Sequence, residues 1–291
     1  MDYAIAILVL ALIVAFVVAG PLRHRSGPDS SSDDRREALE AAKEGKYREI
    51  RDAELDFRMG KMSEADYLKT DGELLEWYGK MAANGLAYAE DRSALCGRLG
   101  HRVAAARINV ADAPRFARTL PHAFDAEGVA KVPLPLIQDG VAHRVVHDTR
   151  SAALARASTT GHALTPGGDS SGPMPTNLVL SGGGCEDEAE LARPIERGIY
   201  VTRLWYTNPV RPKETLLTGL TRDGTFLIED GQIAAPLEDM RMTERILGIL
   251  ERTEDLTARP VLWSEGEFYG RRFATGVVCP AIRVSSLRFV A

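Results

Sequence analysis

Cysteine is scarce in this 291-residue chain: Cys96, Cys185 and Cys279 are odd in number, far apart and never arranged as C-x-x-C. That pattern excludes a disulfide framework, a zinc ribbon and a C-x-x-C-H haem attachment site, and it fits a reducing compartment. Basic excess is also missing. Lys and Arg number 36 against 41 Asp and Glu, a net charge of −5, so the footprint needed to neutralise nucleic-acid phosphates is absent and no nucleic-acid partner is expected. Gly182-Gly183-Gly184 is followed by Cys185 rather than by Lys-Ser or Lys-Thr, which rules out a phosphate loop. Charge itself is lacking from Tyr3 to Leu22.

That uncharged run, mostly Ala, Ile, Leu, Val and Phe, would span roughly 30 Å as a helix, the thickness of a bilayer's hydrocarbon core. It predicts a transmembrane anchor over 1–25. A cleaved signal peptide would need a basic start, whereas Arg23, His24 and Arg25 follow the run. The positive-inside rule then predicts a single-pass protein of the cell membrane with its C-terminal part cytoplasmic. The stretch 26–36, which holds SGPDSSSDD, reads as a flexible tether. Residues 37–84 read as a helical hairpin: Leu39, Ala42, Ile50, Ala53 and Phe57 recur at helical spacing to Gly60. After Ser63 and Asp66, a capping-box-like start, Tyr67, Leu74, Tyr78 and Met81 share a face.

Beyond about Asn84 the texture changes to short β-rich runs separated by Gly, Pro and Asp. Two apolar pairs flank Asp139-Gly140 and Asp230-Gly231, a hairpin signal because both residue types tolerate the positive φ of tight turns. Further strands are expected at Ile199–Tyr206 and within Ala281–Val290. Helices are expected at Asp187–Arg197 and at Thr243–Arg252, the latter capped by Thr243. Thr165–Thr176 reads as a loop. The fold class is therefore α+β: an N-terminal transmembrane helix and helical hairpin, then a β-rich domain over 97–291.

An ordered series of stretches carries a family resemblance: GRLGHRVAAARINVADAP at 97–114, FDAEGVAKVPLPLIQDGVAHRVVHDTRSA at 124–152, STTGHA at 158–163 and PMPTNLVLSGGG at 173–184. ERGIYVTRLWYTNP at 196–209 and DGTFLIEDGQIAAPLEDMRMTERILGIL at 223–250 continue it. Together they resemble the C-terminal domain of the TldD/PmbA metalloprotease family. The resemblance implies a domain that works beside a second one, in a pair where TldD is a zinc protease and TldE (PmbA) its non-catalytic partner. The catalytic member carries H-E-x-x-x-H, whose two histidines ligate zinc while the Glu acts as general base. No such motif occurs in this chain, and Trp263-Ser264-Glu265-Gly266 stands without Cys where the resemblance puts the third zinc ligand. The segment EALEAAKEGKYREIRDAELDFRMGKMSEADY, 37–67, is also similar in layout to the anchored CcmI-type segments of cytochrome c maturation.

Few residues are candidates for chemistry. His143 and His147 are four apart and could ligate a metal from a helix. On the strand assigned to them they stand about 13 Å apart at a rise of about 3.3 Å per residue, too far for one ion. Cys279, in an apolar setting, reads as an inert thiol. Asp125 and Glu127, with Gly128 in FDAEG, are candidates for peptide binding or an interface, although turn geometry alone also selects such residues. The functional expectation is a membrane-tethered, non-catalytic TldE-like subunit that needs no cofactor of its own. Its expected partners are a TldD-like protease subunit holding zinc, an unfolded peptide substrate and the membrane. The alternatives are an anchored adaptor for cytochrome c maturation and a fusion of two neighbouring genes.

Overall fold

The computed structural model describes residues 72–116, 118–263, 267–268, 271–272 and 275–290. The chain divides into two compact units, Met1–Ser63 and Glu64–Ala291, and the described residues all belong to the second. The expected placement in the cell membrane is corrected: among the described residues, no helix is long and apolar enough to cross a membrane. The longest, Glu73–Met81, has nine residues, about 14 Å of rise against the roughly 30 Å that a bilayer core demands. The Tyr3–Leu22 run, the tether and the first helix of the expected hairpin lie outside the described residues.

Helix α1 (Glu73–Met81) starts with Glu73 and Glu76 and ends with Lys80, charges that suit the helix dipole, and Glu76 pairs with Lys80 one turn on. Its apolar face buries Leu75, Tyr78 and Met81 in the main core. The stripe read as one side of a hairpin is thus a wall of the β-rich unit. Helix α2 (Gly85–Ala89) follows directly, capped by the Asn84 side chain, which accepts from Ala87 N at 2.9 Å.

Strands β1 (Val110–Asp112), β2 (Leu134–Gln138) and β3 (Val141–Ala142) come next, then helix α3 (Thr149–Ala155), strand β4 (Asn177–Leu180) and helix α4 (Glu188–Ala192). Two long strands, β5 (Arg197–Arg211) and β6 (Leu216–Glu229), lead to β7 (Gln232–Leu237), β8 (Arg241–Arg245), helix α5 (Ile246–Glu251) and β9 (Thr253–Leu256). The chain closes with β10 (Val261–Trp263), β11 (Glu267–Phe268), β12 (Arg271–Arg272), β13 (Gly276–Cys279), β14 (Ile282–Val284) and β15 (Phe289–Val290).

One sheet has six strands in the order β10-β13-β4-β1-β2-β3, and another has the order β15-β8-β6-β5 with β7 also on β6. All pairs in the six-stranded sheet are antiparallel except β13 with β4, which is parallel. Both expected Asp-Gly turns form: Asp139 and Gly140 lie at φ 50 and 75°, Asp230 and Gly231 at 50 and 76°. Consecutive positive φ values match the twist of the flanking strands. Gly140 is doubly required, because a Cβ there would meet the Ala104 carbonyl oxygen at 2.3 Å. Three expectations shift. Thr243 lies in β8, and α5 begins at Ile246 without a side-chain cap; α4 covers only the first part of its expected span; β3 ends at Ala142, so His143 and His147 are not on a strand.

Candidate functional site

Three strands of the six-stranded sheet present their ends at one place: Asp112 closes β1, Asn177 opens β4 and Gly276 opens β13, where Gly276 faces Asn177 in register. The long β1–β2 connection, 113–133, and the loop 156–176 converge there. Under them lies a buried polar cluster. Asp112 Oδ2 has Lys131 Nζ at 3.1 Å, an ion pair, and His162 Nε2 at 3.1 Å, both contacts without the geometry of straight hydrogen bonds. Asp112 Oδ1 accepts from Asn177 N at 2.8 Å, Lys131 Nζ also donates to Thr176 Oγ1, and His162 Nδ1 lies 2.9 Å from Thr160 Oγ1. Asp112 is 0% exposed, His162 1% and Lys131 3%.

Burial alone would raise the Asp112 carboxyl, but the adjacent His162 ring, the Lys131 ammonium and the Asn177 N–H together hold it down at about 2. Lys131 is lowered by the same burial, and Asp112 opposes that fall. The cluster is thus a desolvated anion held by a cation, a geometry that fixes backbone rather than one that offers an empty coordination site. Among the described residues no group of three or more His, Cys, Asp or Glu could hold a metal ion.

The structure separates the two histidine candidates. His143 is exposed, whereas His147 is buried with Nδ1 3.2 Å from Ser151 Oγ, and its backbone N and O are both engaged by Thr160. Burial is the main cause that lowers the His147 imidazole's proton affinity, opposed by Asp148 and reinforced by His162. Asp148 then caps α3 in a full capping box with Ser151.

Asp125, Glu127 and Gly128 fall together inside the 113–133 connection. The Asp125 carboxylate accepts three backbone N–H groups: Glu127 at 3.0 Å, Val129 at 2.9 Å and Ala163 at 2.9 Å. Glu127 Oε2 accepts from the Thr149 N–H at 3.0 Å and from the Thr149 hydroxyl, at the start of α3. Gly128 turns the chain at φ 78°. Their chemistry goes into shaping the loop. The cluster of Asp112, Lys131, His162 and Asn177 was not singled out from the sequence. Its members are scattered over 65 positions, and only the buried Lys in an otherwise apolar GVAKVPLPLI run hinted at it.

A second feature is an apolar cavity of about 310 Å3, lined by residues that include Leu74, Ile199, Met242, Ile246, Trp263 and Phe289. It lies where β5, β6, β8 and β15 meet α1 and α5.

Comparison with known proteins agrees with this architecture. A family model described as the PmbA/TldA metallopeptidase C-terminal domain matches residues 70–291. A metalloprotease of Methanothermobacter thermautotrophicus is 25% identical over 162 residues, covering 56% of this chain and 35% of the relative. TldE from Thermococcus kodakarensis is similar in fold, with a TM-score of 0.63 and 20% identity over 76% of this chain and 48% of its own. A Thermotoga maritima protein named for modulation of DNA gyrase gives the same values, and one from Bacteroides thetaiotaomicron gives a TM-score of 0.55 at 22% identity, covering 72% of this chain and 44% of its own. The chain therefore spans about half the length of these structures and about a third of the metalloprotease. Since that family model matches residues 70–291, well over half of the chain, this chain belongs to the family of the PmbA/TldA metallopeptidase C-terminal domain.

Proposed function

We propose that this chain is a TldE-like, non-catalytic subunit that assembles with a zinc-bearing TldD-like chain, the pair cutting unfolded peptide. The observation that carries this reading is a combination. The fold is similar to that of a TldE, while no H-E-x-x-x-H occurs and Trp263-Ser264-Glu265-Gly266 lacks the cysteine of a third ligand. Zinc chemistry needs three protein ligands and a general base beside the metal-bound water. A subunit without them contributes by shape: Asp125, Glu127 and Gly128 would act by setting the course of a surface loop against partner or peptide.

Co-expression with a TldD-like protein that carries H-E-x-x-x-H tests this directly. A stable complex that cleaves unfolded peptide, with neither activity nor zinc dependence in this chain alone, is the expected result. Peptidase activity from the isolated chain, or no association with the TldD-like protein, would defeat the reading.

A further inference from the structure

The 113–133 connection is unusual for what it leaves in water. Phe124 is 63% exposed, Val132 55%, Leu120 40% and Phe116 37%. Long connections without secondary structure inside a compact unit are uncommon, and those that exist are commonly functional. Exposed aromatic side chains grouped on one segment mark interaction surfaces.

The segment is also held rigid. Its base is stapled by the buried Asp112–Lys131 ion pair, since one residue precedes the loop and the other lies near its end. From beneath, the Asn177 side-chain amide donates to the Leu120 carbonyl at 2.6 Å and to Thr119 Oγ1 at 3.2 Å. The Asp125 carboxylate organises the inner turn, and Phe124 bridges Ala130 across it. Burying an ion pair is costly, and here the cost goes into fixing a loop whose apolar side chains face outward. A preorganised surface loses little entropy when a partner arrives.

Charge says what kind of partner fits. Arg115 and Arg118 stand on either side of Phe116 in the sequence and are exposed, Arg118 also donating to the Pro260 carbonyl at 3.0 Å, while the two acids of the segment, Asp125 and Glu127, are occupied by backbone N–H groups. On a chain of net charge −5, this segment leaves two cations and four large apolar side chains exposed. Two cations are too few for the counterion release that drives binding to nucleic acid. Phe and Arg together are the side chains enriched where proteins meet proteins. We propose that the 113–133 connection is a preformed docking surface for a protein segment that carries carboxylates beside apolar side chains. Phe116, Leu120 and Phe124 supply the apolar contacts, and Arg115 and Arg118 set the charge of what is accepted. The inference does not depend on the peptidase reading.

A library of random dodecapeptides displayed on phage, selected against the full chain, is the probe. Enriched peptides should place Asp or Glu within a few positions of Leu or Phe. A synthetic copy should bind about ten-fold more weakly to the Arg115→Glu/Arg118→Glu chain and to the Phe116→Ser/Phe124→Ser chain, a change worth about 1.4 kcal/mol. Binding should weaken as salt rises from about 50 to about 500 mM. The four side chains substituted are exposed, so circular dichroism should be unchanged in both variants. No enrichment, enrichment of peptides without acids, or equal binding to all three chains would overturn the proposal. So would a heparin complex formed where no peptide binds.

Discussion

Asp112 shows how much one carboxylate can hold. Replacing it by Asn leaves Lys131 buried without its anion, the situation in which a broken buried pair costs about 3–5 kcal/mol. The double change Asp112→Asn/Lys131→Met removes both charges and should recover much of that loss, which urea unfolding of the three variants would measure. Acid acts on the same group. Because its folded value lies at about 2, below the ordinary value of about 3.9, Asp112 contributes stability at neutral pH that disappears as pH falls from about 4 towards about 2. His147, also lowered by folding, adds a loss that begins as pH drops through about 6.5. Thermal melts across this range should fall steeply for the natural chain below pH 4 and less steeply for Asp112→Asn. Tyr78 offers the opposite case. Its hydroxyl is fully buried without a hydrogen-bond partner, and burial pushes its proton loss far above the usual phenol range. Tyr78→Phe should therefore be neutral or stabilising by about 1 kcal/mol, read from the same unfolding curves.

At the scale of elements, α3 is the sharpest test of local signals. Asp148 caps it through Ser151 N at 2.7 Å, and Asp148→Ala should cost about 1 kcal/mol. Glu127 approaches the same end of the helix from another loop, so Glu127→Gln should weaken it further and loosen residues 124–128, visible as faster hydrogen exchange there. Turns were the most legible elements in the sequence, because Asp-Gly pairs act through their own φ values and need no distant partner. The hairpin of β6 and β7 follows from one of them, while Ile199–Tyr206, read as a strand from its own composition, is the middle of β5. Short strands such as β1 and β4 were not legible: each has only three or four residues and is held by pairing with strands that do not adjoin it in the chain, β1 with both β2 and the distant β4, and β4 with the still more distant β13. The site shared this difficulty. Asp125 could be read as a turn carboxylate from FDAEG alone, but nothing local connects Asp112 to Lys131, His162 and Asn177. His143 and His147 looked alike in the sequence and differ in the fold, because β3 stops at Ala142 and the chain then dives under α2.

For the whole molecule, metal content is the simplest measurement. The purified chain should carry no stoichiometric zinc, since its sequence has no H-E-x-x-x-H. Elemental analysis giving near one zinc per chain would show that a ligand set had been overlooked. The parallel partnership of β4 with β13 has a different consequence, one of timing. Residues 177–180 must wait for residues 276–279, and everything from α4 to β12 is made between them. On a ribosome that adds about 5–20 residues per second, one edge of the half-built six-stranded sheet stays open for roughly 5–20 s. Non-local pairing of this kind slows folding, and an open edge is a template for mispairing with other chains. Overproduction should therefore favour aggregates that form during synthesis, and slower translation or a chaperone that shields strand edges should raise the soluble yield more than any change to the finished surface.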